Sequence, residues 1–283
     1  MNADSLVDVL RAVADPSTTV QSYSAAQISV LSLGISLVFV VVSLIISFGL
    51  RLKMWKEILV ATIRTILQLL LAGFVLAFVF RWNIWYVTLI LLVVMIVIAS
   101  FESIRRQKHK SAGLFFIVGF GLLASAAFSL VIVIAFVLNI KPWYEPQYLI
   151  SMGGLVIGNS MTAAALVLNR MWGDMKLRQK EVESLLALGA SPYQAAGASI
   201  RESVKMALIP TINAMMVVGI VKLPGIMTGQ IMAGQPPASA IRYQIVVMFL
   251  ILGAATITAA ITALFGYKFY FTPAQQLKKN MFV

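Results

Sequence analysis

A chain of 283 residues with 60% hydrophobic and only 11% charged residues departs from ordinary soluble domains, where about a quarter of residues are charged. With a mean hydropathy of +0.94, it excludes intrinsic disorder and a collagenous chain and predicts an all-α, polytopic membrane helix bundle. Cysteine is absent and His109 is the single histidine, so disulfides, thiolate metal sites, a cysteine nucleophile and a multi-histidine metal site within one copy are excluded.

Residues 1–25 hold Asp4, Asp8 and Asp15 with Arg11 as the lone basic residue, and no basic stretch precedes an apolar core. They read as an uncleaved extracytoplasmic segment. Apolar segments follow at 26–50, 57–80, 84–101, 113–139, 148–168, 206–221 and 243–266, which predicts about seven transmembrane helices. The net charge of +12 alternates with these spans. Arg51, Lys53 and Lys56 follow the first, and Arg105, Arg106, Lys108 and Lys110 the third. Arg170, Lys176, Arg178, Lys180, Arg201 and Lys205 follow the fifth, and Lys268, Lys278 and Lys279 the last. The opposite side receives only Arg11, Arg81, Lys141, Lys222 and Arg242. Positive charge concentrates in cytoplasmic loops, so the N-terminus is expected outside and the C-terminus inside, and nucleic-acid binding loses its support. Trp82, Trp85, Tyr86, Trp143 and Tyr144 fit the outer headgroup layer as anchors.

Within the second span Arg64 and Gln68 share a face, and Glu102 at the inner end of the third is the expected partner of Arg64. The alternative for Arg64 is a substrate or proton role. Asn159, Ser160 and Thr162 interrupt the fifth span and Asn213 the sixth, where lipid cannot satisfy amides or hydroxyls. A substrate pathway lined by Asn159, Ser160, Met161, Asn213, Met215 and Met216 is one account; hydrogen bonding between helices, with methionine as adaptable filler, is the other. With no carboxylate in this cluster, no metal is identified.

Between 169 and 205 the pattern predicts two short helices outside the membrane. The first carries Glu181, Val182, Glu183, Leu185, Leu186 and Leu188 and stops at Gly189, which tolerates a left-handed cap. The second starts at Ser191, with Pro192 at the first helical position and Gln194 completing a capping box. Further on, Pro210, Lys222 and Pro224 break the apolar sequence. A span ending near Val221 and then a short re-entrant or interfacial helix are expected, since a straight helix would bury the charge and lose backbone bonds. Gly225 with Gly229, and Gly154 with Gly158, form small-residue faces suited to close helix approach. No phosphate-binding loop, dinucleotide fingerprint, zinc motif or nucleophile elbow occurs, so no ATPase or other enzyme activity is expected of the chain itself.

Glu183, Ser184, Leu185 and, four residues on, Gly189 resemble the glutamate-alanine-alanine loop of ABC transporter permeases, although Ser199 stands at its usual apolar position and Ile209-Pro210 is the nearest counterpart of its Leu-Pro pair. The resemblance implies that 169–205 is a cytoplasmic coupling segment in which Glu183, Leu185, Leu186, Leu188 and Gly189 meet a separate ATPase subunit, which carries the ATP and Mg. One such element per chain implies a homodimer of permeases on two ATPase subunits.

Longer motifs lie at Gly158-Asn159-Ser160-Met161-Thr162-Ala163-Ala164-Ala165, Leu186-Ala187-Leu188-Gly189-Ala190-Ser191, 207–234, Arg242-Tyr243-Gln244-Ile245-Val246-Val247-Met248-Phe249 and Phe271-Thr272-Pro273. Over most of 57–276 they resemble the FetB-type iron export permease family of ABC transporters, which includes plant aluminium-tolerance permeases. The resemblance implies a single permease domain over 26–283, in the plasma membrane, exporting iron or another metal. It also leaves open a nucleotide sugar as cargo. A non-transporting membrane scaffold that docks a soluble partner is the alternative from another class, and an ion-coupled transporter is disfavoured by the scarcity of membrane carboxylates.

Overall fold

The computed structural model describes residues 30–105, 107, 112–278 and 281. The expectations for residues 1–25, Arg106, Lys108, His109, Lys110 and Lys279 lie outside the described residues. Those described are helical throughout, apart from connecting turns and two isolated bridges, Val218 with Lys222 and Phe271 with Leu277. The chain divides into two compact units.

The first unit takes residues 30–83 together with 229–236. Helices α1 (Val30–Ser36) and α2 (Val38–Gly49) form one apolar span, and α3 (Trp55–Trp82) forms the next. Arg51 and Lys53 take positive φ in the turn between them, and Phe48 stacks on Trp55 with centroids 6.2 Å apart. Both spans bury only 6% of their most apolar windows within the chain. Surfaces of that size and apolarity suit lipid, not water.

The second unit takes 84–228 and 237–283. It holds α4 (Trp85–Arg105), α5 (Ala112–Val131, continued by a π-helical turn over Ile132–Val137), α6 (Pro146–Leu177), α7 (Gln179–Ala187), α8 (Pro192–Val217) and α10 (Pro237–Gly266), which ends in a 3-10 turn over Tyr267–Tyr270. Helix α9 (Gly225–Met232) leads from this unit into residues of the first. At the centre α6 packs along α10; α4, α5 and α8 pack around α6, and α5 and α8 also touch α10. Small residues make the pairing close. Ala254, Ala255, Ala259 and Ala263 of α10 are fully buried, and a Cβ on Gly121 of α5 would stand 3.4 Å from Ile261. In lipid, where apolar burial gains little, such contacts and interhelical hydrogen bonds carry the association. Thr258 donates to Ser125 Oγ at 2.7 Å, while Ser103 and Gln107 donate to the carbonyls of Met161 and Ala165, each at 3.3 Å.

Among the described residues six helical segments are long and apolar enough to cross a membrane, close to the seven expected. The difference lies in α8. The region expected as the sixth span is the second half of this 26-residue helix, and the short second helix expected at 191 is its beginning. Nothing stops α8 early, because Ala195, Ala196, Ser199, Ile200, Ser203 and Ala207 form one continuous buried stripe at helical spacing. The fifth span likewise runs on to Leu177. The short helix expected after Val221 is α9, which follows a tight turn over 218–222. Of the glycines expected to pack closely Gly154 does, and Gly153 joins it. A Cβ on Gly153 would run into Leu92 Cδ2, and one on Gly154 would lie 3.3 Å from Met95 Cε, whereas Gly158, Gly225 and Gly229 face no atom within 4 Å.

Candidate substrate cavity and coupling surface

Helices α6, α8 and α10 and the turn at 218–222 enclose a cavity of about 390 Å³ within the second unit. From α6 it receives Asn159 and Thr162, from α8 Pro210, Thr211 and Ala214, from the turn Lys222, from the link to α9 Pro224, and from α10 Gln244 and Met248. Asn159 Nδ2 donates to the Leu155 carbonyl at 2.8 Å, which leaves its Oδ1 as an acceptor. Thr162 donates to the Gly158 carbonyl at 3.2 Å. Gln244 is 5% exposed, and its Oε1 has no hydrogen-bond partner among the described residues. A buried, unsatisfied amide oxygen costs about 1–3 kcal/mol, so Gln244 is the polar group of this wall with the most to gain from a partner. The backbone fixes Lys222: its N–H donates to Val217 at 3.2 Å and its carbonyl accepts from Gly219 at 3.0 Å, a turn that needs the positive φ of 82° at Gly219.

Of the six pathway residues expected from the sequence, the cavity takes Asn159. Ser160 points into helix packing and is fully buried. Met161 packs against the core of α4, α5 and α6. Asn213 is exposed, Met215 half-buried and Met216 exposed. Thr211, Lys222 and Gln244 lacked an assigned role. Of these Lys222 carried a signal, a charge in apolar sequence, whereas Gln244 sat unremarked in its motif.

A second surface forms where α4, α6 and α10 end and α5 and α8 begin. Helix α7 stops at Ala187, and Gly189 takes φ +90°. Its N–H reaches the Leu186 carbonyl and that of Ala190 the Leu185 carbonyl, both at 3.0 Å. Ser191 then caps α8: Gln194 N–H donates to Ser191 Oγ at 3.3 Å, and Ser191 N–H donates to Gln194 Oε1 at 2.8 Å. The two helices therefore meet in a turn secured on both sides. Leu185 and Leu186 pack inward on a cluster that includes Met171, Met175, Val182 and Ala196, so they brace the turn. Leu188 is 84% exposed.

Beside this turn an open groove of about 990 Å³ runs between Glu183, Leu186, Gly189 and Ala190 on one side and Thr272, Gln275, Leu277 and Lys278 on the other. The tail is anchored, since Trp172 Nε1 donates to the Met281 carbonyl at 3.1 Å and Lys278 Nζ to that of Phe269 at 3.1 Å. Arg170 links α6 to α8, standing 3.2 Å from Asp174 and 4.0 Å from Glu202. Glu102 pairs with Arg105 on its own helix at 3.6 Å. Arg64 is half-buried on α3 in the first unit. Among the described residues no three Asp, Glu or His side chains gather as a metal site.

The model of the Uncharacterised protein family UPF0014 matches residues 30–271. The chain belongs to this family. The family's membrane protein YjkA of Bacillus subtilis is 35% identical over 88% of this chain and 98% of its own length. The protein named ALUMINUM SENSITIVE 3 of Arabidopsis thaliana is 32% identical, covering 87% of this chain and 89% of its own. The probable iron export permease protein FetB of Escherichia coli is 33% identical, covering 87% and 93%. No solved structure matches the chain. Family membership and the apolar helices together make it an integral membrane protein.

Proposed function

We propose that this chain is the permease subunit of an ABC transporter that exports iron or another metal across the plasma membrane, driven by a separate ATPase subunit. The observation that carries the proposal is the secured turn between α7 and α8, with Leu188 exposed beside an open groove. FetB, by its name, supplies the substrate class. The N-terminus lies outside and the C-terminus inside, so the turn and groove face the cytoplasm, where the ATPase holds ATP and Mg. Two copies of the chain pair, each offering one turn.

Helix α8 supplies the transmission. It runs unbroken from the cap at Ser191 to the cavity wall at Pro210, Thr211 and Ala214, about 29 Å at 1.5 Å per residue. A pull on the turn is therefore carried along α8 to that wall. Leu188 contacts the ATPase together with Glu183, while Leu185, Leu186 and Gly189 keep the turn rigid. Closure of the ATPase pair rocks the bundle between inward-open and outward-open states.

A nucleotide-sugar exporter is the second reading, favoured by the lysine in a cavity without carboxylates. The decisive experiment measures ATP hydrolysis by the permease with its ATPase in liposomes, with and without Fe(II) or a nucleotide sugar. Stimulation by either establishes ATP-coupled transport and ranks the two. A permease that binds the ATPase without altering its turnover under any cargo is a scaffold, and overturns the proposal.

A further inference from the structure

The cavity between α6, α8 and α10 lies near the middle of α6, and among the described residues its lining carries a single charged side chain, the cation Lys222. Lys222 lines it from the turn at 218–222 and is an exposed residue. Around it stand Asn159 Oδ1, the Thr211 hydroxyl and the amide of Gln244, whose buried oxygen lacks a partner. A bare divalent cation finds little here. Hard metal ions are held by carboxylates with carbonyls and water, yet the lining contributes no Asp or Glu and sets an ammonium against the ion.

The donor and acceptor set fits a different ligand. Lys222 offers three charged donors and Thr211 one more, while the two amide oxygens accept from hydroxyl groups. At about 390 Å³ the cavity falls within the usual range for small-molecule sites. Building on the transport reading above, we propose that this cavity binds a small, hydroxyl-bearing, oxygen-rich anion, and that a metal crosses only as the complex of such an anion. A hydroxycarboxylate and a sugar phosphate share that chemistry.

The test needs no ATPase, so its failure is separate from failure of ATP coupling. The purified full chain in neutral detergent is titrated calorimetrically with citrate, ferric citrate, glucose 1-phosphate or Fe(II) alone. Citrate or glucose 1-phosphate should bind saturably, and which one binds tells the two sources apart. Affinity should fall with added salt and drop on the order of tenfold in Lys222→Gln. Lys222→Arg should retain binding, and Gln244→Leu should weaken it to a lesser degree. Size-exclusion elution identifies folded variants, and should Lys222→Gln not fold, the salt dependence and the Lys222→Arg result decide. Fe(II) alone binding as tightly in Lys222→Gln as in the unaltered protein, or neither anion binding to it, overturns the proposal. So does anion binding that is indifferent to salt and to both substitutions.

Discussion

The two halves of α8 differ in nearly everything but their helical backbone. From 192 to 207 the helix is capped, charged on its outer face, and seated on α6 and the 3-10 turn by a stripe of alanines and serines. From 208 to 217 it carries Pro210 and Asn213, buries no residue fully and borders a cavity. A proline inside a helix forfeits a backbone hydrogen bond. The first half is thus built to hold its place, and the second to border a cavity along a weakened backbone. Rigidity at the ATPase side with compliance at the cargo side is what a lever between them requires.

Removing residues 188–190 strikes that comparison hardest. The loss of the left-handed link should abolish ATP-dependent transport while insertion into the membrane persists, as judged by flux into vesicles and by membrane fractionation. Pro210→Ala tests the opposite half. A restored bond to the Met206 carbonyl should stabilise the protein by up to about 3 kcal/mol, seen as a higher unfolding midpoint in detergent. The same stiffening should slow transport. If stability rises and transport is untouched, compliance at Pro210 has no functional part. A smaller effect is expected from Ser191→Ala, which removes the side-chain cap and should cost about 1 kcal/mol with partial uncoupling of ATP hydrolysis from transport.

What the sequence disclosed about these regions follows from how local each signal is. Ser191, Pro192 and Gln194 announce a helix start because the capping box is closed within four residues, and Gly189 announces the stop before it for the same reason. The bundle was legible as well, since twenty apolar residues in a row have few alternatives to a membrane span. The length of α8 was not. Arg201 and Lys205 read as cytoplasmic charge ahead of a separate span, while the stripe that joins the two parts is made mostly of small residues with weak hydrophobic contrast. The cavity was the least legible, because Asn159, Thr211, Lys222 and Gln244 come from separate elements and meet only through helix packing.

Thr211 and Asn213 show this most finely, and they define the smallest predicted effect. Both are polar residues in an apolar stretch, and composition alone favours the amide. Two positions along a helix turn a side chain by about 200°, so they face nearly opposite ways. Thr211 borders the cavity, whereas Asn213 is exposed and absent from its lining. Thr211→Val should therefore weaken transport several-fold, about what one hydrogen bond to cargo is worth, with the unfolding midpoint nearly unchanged. Asn213→Ala should leave stability within about 0.5 kcal/mol and transport at its original rate. An Asn213 variant that fails to transport while Thr211→Val transports normally would move the pathway to the other face of α8, and with it the lever's point of contact with cargo.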